Sequence, residues 1–157
     1  MKSCLVLLDL AVAYRISTFN KQTCEQIEAY WTDIQSAIRE TVELANWFGI
    51  NGLMLTSANS LIPVAYYLYR NPEARLRSDS QTDAENATLV RRWLIMALLN
   101  GVFGGSSDSI LAKMRGVIMK HGEHGRLFPV LKQKRPERQA SGLADRHWVF
   151  VMLRNFT

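Results

Sequence analysis

The stretch that decides the fold is TCEQIEAYWTDIQSAIRETVELANWF, residues 23–48. Its apolar side chains recur every three or four positions, which is the spacing of one face of an α-helix, and charged side chains mostly fill the other face. Thr23 is a candidate N-cap, and Gly49 is a candidate end because glycine tolerates the left-handed conformation that often follows a helix. The sequence therefore predicts one helix of about 25 residues. Its apolar positions are Ile27, Tyr30, Trp31, Ile34, Ala37, Ile38, Val42, Ala45 and Phe48.

A short helix is predicted over residues 60–70, within TSANSLIPVAYYLYRN. Its cap is expected near Asn59 or Ser60. Pro63 falls in the first turn, where the N–H that proline lacks would have no intrahelical partner anyway. The tyrosines of this helix are interpreted as packing residues and not as a platform for stacking bases. They are Tyr66, Tyr67 and Tyr69.

Two further helices are predicted over residues 84–103 and 107–120. The segment WLIMALL, residues 93–99, has no polar face, so we expect it at the buried centre of the fold. Between residues 20 and 120 the sequence shows no convincing strand alternation. The predicted fold class is therefore all-α, a compact bundle of about four to six helices with orthogonal or irregular packing.

The two ends of the chain are also apolar. MKSCLVLLDLAVAY at the start superficially resembles a secretory signal peptide, but Asp9 interrupts its short apolar run and favours a core helix or strand. RHWVFVMLRNF, residues 146–156, fits a helix or a strand by periodicity, and we predict a helix. The expected organisation is a helical core over residues 1–122, a basic linker with glycine and proline over 123–140, and a terminal helix packed on the core over 141–157.

The cysteine and histidine patterns indicate neither a disulfide framework nor a metal site. The two cysteines, Cys4 and Cys24, lack CxxC spacing, and this usage fits a reducing cytoplasm. His121, Glu123 and His124 lie close together in HGEHG, but the two histidines, three positions apart, lack a third ligand of evident spacing, so a loop coincidence is favoured over metal binding. No stretch approaches the roughly 18 to 20 apolar residues of a membrane span. We therefore expect no metal, no cofactor and no membrane partner.

Positive charge is concentrated in the second half of the chain. Residues 1–60 carry four Lys and Arg against six Asp and Glu, whereas residues 61–157 carry fifteen against eight. Residues 113–138 alone have a formal net charge of +6. Such a segment can attract phosphate backbones without reading base sequence, although a solvated linker has the same composition. The candidate nucleic-acid-binding residues are Arg126, Lys132, Lys134, Arg135 and Arg138.

A glycine-rich turn, GGSSD, precedes the helix predicted over residues 107–120. It does not match a phosphate-binding P-loop, because no lysine follows the second of its glycines, Gly104 and Gly105. Ser106 or Ser107 is a good N-cap, and Asp108 then lies in the first turn, where its charge complements the helix dipole. The same carboxylate would repel a phosphate. We therefore predict a structural turn, with a magnesium or catalytic role for Asp108 as the alternative.

Four segments of the chain resemble successive blocks of the DUF262 family, and they occur in the same order over residues 5–118. The family includes relatives of the GmrSD modification-dependent restriction enzymes and of other phage-defence systems. The segments are DLAVAYRISTFN, the YW and AI of EAYWTDIQSAIRETVELANWFG, LTSANSLIPVAYYLYRN, and RRWLIMALLNGVFGGSSDSILAKMRGVI.

The resemblance implies a particular place in a larger protein. In that family the amino-terminal part is a ParB-like module whose (I/V)DGQQR motif serves nucleotide binding and hydrolysis, and many members end in an HNH-type nuclease domain. Neither a DGQQR string nor an HNH-type arrangement occurs in these 157 residues. The chain resembles the helical region after the ParB-like module, as a fragment or truncated product. No family catalytic residue carries over to it.

The function expected from these observations is that of a non-catalytic helical module of a DUF262-type restriction or defence protein. Its expected partners are DNA, bound non-specifically through the DNA phosphate backbone, and a ParB-like nucleotide-binding part or a nuclease subunit. Self-association is left open. The alternative is a small phosphohydrolase or nuclease that acts on nucleotides or nucleic acid through Asp108 and the basic segment. The absence of clustered carboxylates from the sequence favours the module.

Overall fold

The computed structural model describes residues 1–13, 15–78, 80–105 and 107–121. Every regular element in this part of the chain is helical, so the predicted all-α class is confirmed. The predicted linker and terminal helix beyond residue 122 lie outside the described residues. The elements are α1 (Lys2–Leu7), a 3₁₀ helix (Ile16–Thr18), α2 (Lys21–Ala29), α3 (Trp31–Trp47), a second 3₁₀ helix (Ala58–Leu61), α4 (Ile62–Arg70), α5 (Gln81–Leu99) and α6 (Asp108–His121).

The centre of the fold is α4, which packs against α1, α3 and α6. Seven consecutive residues of this short helix are buried, from Ile62 to Leu68. Pro63 lies at the start of α4, as predicted, and Tyr66 and Tyr67 are fully buried packing residues. A helix that other helices surround must be apolar on every side.

The prediction that residues 93–99 form the buried centre is wrong in part. Trp93, Leu94 and Ala97 are buried, but Leu99 at the end of α5 is 76% exposed. The reason is that α5 buries one face only, so the absence of a polar face did not mean that the helix is surrounded.

The single long helix predicted over residues 23–48 is divided at Tyr30 into α2 and α3, because the Tyr30 backbone departs from helical geometry at φ −105° and ψ 14°. The helical hydrogen bonds on either side continue through this residue: its N–H bonds to the Gln26 carbonyl, and its own carbonyl accepts from the Ile34 N–H. Apolar periodicity therefore persists across the break and did not reveal it.

The predicted N-cap of this region was also wrong. Asn20 precedes α2, and its side-chain oxygen accepts a hydrogen bond from the Thr23 N–H at 2.9 Å. Asparagine is a strong N-cap, since its short side chain reaches the free N–H groups of the first turn. Thr23 is thus the capped residue and lies buried inside the helix.

The amino-terminal apolar run forms α1, which is the core helix that the sequence favoured as one of two choices. Four consecutive residues are buried in it, from Cys4 to Leu7. Among the described helices, none is long and apolar enough to cross a membrane.

Candidate functional site

The GGSSD turn leads directly into α6, which begins at Asp108. Ser107 occupies the N-cap position, because its carbonyl accepts the hydrogen bond of the Leu111 N–H. Its side chain is buried, and its hydroxyl accepts a hydrogen bond from the Asn59 side-chain amide at 3.0 Å. Ser106 lies outside the described residues.

Asp108 makes an ion pair with Lys2, which is 106 positions away in the sequence. Its Oδ1 accepts a hydrogen bond from the Lys2 Nζ at 2.7 Å, and both side chains are partly exposed. The carboxylate thus joins the start of α6 to the start of α1. It also lies in the first turn of α6, where negative charge complements the helix dipole.

The chain reversal before this turn depends on Gly101. Its φ of +58° lies in the left-handed region, while Gly104 and Gly105 have no such conformation. Gly104 donates its N–H to the Gly101 carbonyl at 2.9 Å, and a Cβ added at Gly104 would come within 3.2 Å of that oxygen. The Ser57 hydroxyl donates to the Phe103 carbonyl at 3.1 Å and holds the reversal against the residues before α4. We call the contacts of Lys2, Asp108, Asn59, Ser107 and Ser57 the polar junction.

A second polar cluster surrounds Asp9. The Tyr66 hydroxyl donates a hydrogen bond to its Oδ1 at 2.7 Å. Two guanidinium groups approach the same carboxylate at 3.7 Å, the Arg70 Nη1 at Oδ2 and the Arg115 Nε at Oδ1. Arg115 also donates to the Leu10 carbonyl at 2.6 Å. These four side chains, which we call the Asp9 network, connect α4 and α6 to the segment that follows α1.

The environment of Tyr66 favours its neutral form. Burial raises the pKa of the Tyr66 hydroxyl well above its ordinary value, and the hydrogen bond to Asp9 and the charge of Asp9 raise it further. The nearby arginines oppose this shift more weakly. Tyr66 is therefore a stable hydrogen-bond donor at neutral pH and a poor general base.

The Asp9 network was missed at the sequence level. Asp9 was recognised only as an interruption of an apolar run, and Arg115 only as part of the basic region. The signal that could have revealed Asp9 is its position directly after a buried apolar segment, where an ionised side chain needs a partner. The identity of that partner depends on residues 57 and 106 positions away along the chain, namely Tyr66 and Arg115.

The predicted nucleic-acid-binding residues Arg126, Lys132, Lys134, Arg135 and Arg138 lie outside the described residues. In the part of the chain that is described, no group of three or more His, Cys, Asp or Glu side chains is placed to hold a metal ion. His121 is the last residue of α6, while the rest of HGEHG lies outside the described ranges.

Two concave surfaces lie beside α3 and α4. One is a cleft of about 460 Å³ with a mixed polar and apolar lining, formed by Tyr30, Asp33, Ser36, Ala37, Glu40, Leu68, Tyr69, Arg70, Asn71, Pro72 and Ala74. We call it the α3–α4 cleft. The other is a mainly apolar groove of about 310 Å³, lined by Met1, Lys2, Ser3, Ile38, Thr41, Val42, Ala58, Asn59, Leu61, Ile62 and Ala65. We call it the apolar groove, and it adjoins the polar junction through Lys2 and Asn59.

Comparison with protein families, with curated proteins and with solved structures gives no match to this chain.

Proposed function

We propose that the chain is a non-catalytic helical module of a DUF262-type restriction or phage-defence protein in the cytoplasm. In that role it supports a ParB-like nucleotide-binding part and contacts DNA or a partner domain. The proposal is supported chiefly by one observation: the described residues of GGSSD make structural contacts within the polar junction. Ser107 and Asp108 hold α6 to the residues before α4 and to α1.

The environment of Asp108 supports a structural role over a catalytic one. The Lys2 ammonium lies 2.7 Å from one of its carboxylate oxygens. A metal ion would have to compete with that ammonium for the same oxygen. Ser107 is 1% exposed, so its hydroxyl has little access to a substrate.

The alternative function, a phosphohydrolase or nuclease acting through Asp108, is tested with the full chain. The purified protein is incubated with nucleoside triphosphates and with plasmid DNA in the presence of magnesium. The module hypothesis predicts no turnover above that of the Asp108→Asn variant. Turnover by the wild type that disappears in Asp108→Asn, with both proteins equally stable to urea, would establish the enzyme instead.

Exposed apolar side chains support a partner-binding role. Val42 is exposed beside the apolar groove, and Trp47, Leu53 and Met54 are exposed on and after the end of α3. Soluble domains rarely leave large apolar patches uncovered unless another surface covers them. In the proposed function this covering surface belongs to the nucleotide-binding part.

Binding between purified chains tests this interaction. A DGQQR-containing ParB-like domain from the DUF262 family is titrated with the full chain, and we expect saturable binding. The variant Val42→Glu places a charge at the apolar groove and should weaken binding, while Ile16→Glu, at an exposed apolar residue outside the groove, should not. Equal effects of both variants, or no binding by the wild type, would contradict this part of the proposal.

DNA binding through the basic segment is tested by a salt titration. If about four of the five candidate side chains contact duplex phosphates, the slope of log K against log salt should be about −3.6. Replacing Lys134 and Arg135 with alanine together should make that slope shallower by up to about 2. Because phosphate contacts do not read bases, preference among DNA sequences should be slight. No binding at low ionic strength, or binding unchanged by the double replacement, would remove DNA from the partners.

A further inference from the structure

The α3–α4 cleft carries an inference that is independent of the proposed function. Its volume of about 460 Å³ is within the range of small-molecule sites. One wall is α3, which contributes Asp33 and Glu40, and the other wall is the end of α4, which contributes Tyr69 and Arg70. Tyr30, at the break between α2 and α3, also lines the cleft.

Two carboxylates on one helix define the electrostatics of the cleft. Asp33 and Glu40 are seven positions apart, so two helical turns, about 11 Å, separate them along α3. Within the described residues, neither takes part in an ion pair. Arg70, on the opposite wall, is shared with Asp9 at 3.7 Å. The cleft therefore has an excess of negative charge on a chain whose formal net charge is +5.

Aromatic rings and apolar side chains complete the lining. The Tyr30 side chain is half exposed and Tyr69 is half-buried, and Leu68 and Ala37 supply apolar surface between the two walls. Burial raises the pKa of the Tyr69 hydroxyl, and the charge of Asp33 and the neighbouring Tyr30 raise it further. All three of these side chains line the cleft. Tyrosine faces attract ammonium groups, and an apolar wall suits a methylene chain.

We propose that the α3–α4 cleft binds a linear aliphatic polyamine. One ammonium group binds to Asp33 beside Tyr30 and Tyr69, and a second binds to Glu40 two turns further along α3. The methylene groups between them lie against Ala37 and Leu68, and the central ammonium of spermidine faces solvent. A single small cation would satisfy only one carboxylate, whereas a polyamine of this length neutralises both.

Isothermal titration calorimetry of the full chain with spermidine tests this site. We expect saturable binding at low ionic strength, and about two- to fivefold weaker binding in each of Asp33→Asn and Glu40→Gln, the loss expected for one solvent-exposed ion pair. The control variant is Glu28→Gln, which removes an exposed carboxylate of α2 outside the cleft and should leave binding unchanged. The shorter 1,3-diaminopropane cannot span the two carboxylates, so it should bind much more weakly than spermidine.

Three outcomes would overturn the inference. The first is the absence of spermidine binding by the wild type, and the second is equal weakening by Glu28→Gln and the cleft variants. The third is displacement of spermidine by magnesium chloride no less effectively than by another polyamine, because that would indicate general attraction of cations. Urea unfolding of each variant confirms that the folded protein is being titrated. None of these outcomes bears on the Asp108 assay or on DNA binding.

Discussion

Asp9 occupies a backbone position that glycine fills at the ends of α3 and α5. Its φ of +57° is in the left-handed region, which costs a non-glycine residue about 1 to 2 kcal/mol. Aspartate and asparagine tolerate this region better than other side chains do. The carboxylate at this position binds Tyr66, Arg70 and Arg115, so the contacts of the Asp9 network offset the backbone cost.

Replacing Asp9 separates these two contributions. Asp9→Gly relieves the backbone but leaves the Tyr66 hydroxyl and two guanidinium groups without their shared acceptor. We expect a net loss of about 1 kcal/mol in the free energy of unfolding, measured by urea titration. Asp9→Asn keeps a hydrogen-bond acceptor, and asparagine tolerates the left-handed region. Its loss in free energy of unfolding should therefore be smaller than that of Asp9→Gly. If Asp9→Gly raised the free energy of unfolding, the contacts of the Asp9 network would stabilise the fold by less than the left-handed backbone conformation costs.

The raised pKa of Tyr66 predicts how stability depends on pH. The folded protein holds the Tyr66 proton more tightly than the unfolded chain, whose tyrosine pKa is about 10. The stabilisation that results from the raised Tyr66 pKa is therefore fully present below about pH 10. It is lost as the pH rises toward the pKa of Tyr66 in the folded protein.

The variant Tyr66→Phe lacks the titrating group. Above about pH 10 its free energy of unfolding should fall less steeply with pH than that of the wild type, by up to about 1.4 kcal/mol per pH unit. Tyr67 and Tyr69 have raised pKa values too and remain in both proteins, so the difference isolates Tyr66. If the free energy of unfolding had the same pH dependence in both proteins, the raised pKa of Tyr66 would be contradicted.

At the scale of the element, three helices end in the same hydrogen-bond pattern. After α3, the Gly49 N–H bonds to the Asn46 carbonyl and the Ile50 N–H to the Ala45 carbonyl. This is the Schellman motif, in which a left-handed residue lets the chain turn back and satisfy the last carbonyls. The same pattern closes α1 at Asp9 and α5 at Gly101. Each helix therefore stops within one residue, and the next segment leaves in a defined direction.

Gly49 and Gly52 form a matched pair for testing this ending. Gly49 has a φ of +81°, whereas Gly52 is outside the left-handed region, and an added Cβ has no heavy atom within 4 Å at either site. Gly49→Ala should lower the free energy of unfolding by about 1 kcal/mol, while Gly52→Ala should change it by less than about 0.5 kcal/mol. Thermal or urea unfolding measures both. Equal effects would show that backbone conformation at residue 49 is not what ends α3.

At the scale of the whole molecule, α4 is the element on which the others are assembled. The polar junction and the Asp9 network lie near its two ends and connect segments from both halves of the described chain. The Lys2 and Asp108 side chains, for example, are 106 positions apart. These contacts fix how α1 and α6 are placed around α4. Apolar burial supplies most of the stability, and the polar contacts select one arrangement.

A double-mutant cycle measures the contact between Lys2 and Asp108. Asp108→Asn should lower the free energy of unfolding by about 1 kcal/mol, because it loses both the ion pair and the favourable dipole interaction. The coupling energy between Asp108→Asn and Lys2→Met should be about 0.2 to 1 kcal/mol. The exposed pair Lys21 and Glu25, 3.8 Å apart, is the control and should couple more weakly. Zero coupling between Lys2 and Asp108 would mean that the pair does not fix α1 against α6.

The sequence by itself determined most of the helices. The positions of α4 and α6 and the end of α3 at Gly49 followed from apolar spacing, proline position and glycine, because these signals act over a few neighbouring residues. The same signals placed Asp108 in the first turn of α6. The all-α class followed from their sum.

Only the tertiary structure decided which residues meet. The break at Tyr30 leaves the apolar spacing intact, so no local pattern marks it. The burial of α4 on every side, and of only one face over residues 93–99, depends on which helices surround each segment. The partners of Asp9 and Asp108 are distant in sequence. A charged side chain beside an apolar segment indicates that it needs a partner, but the local sequence does not identify that partner. Packing of the helices makes that choice, since it alone brings Tyr66 to Asp9 and Lys2 to Asp108.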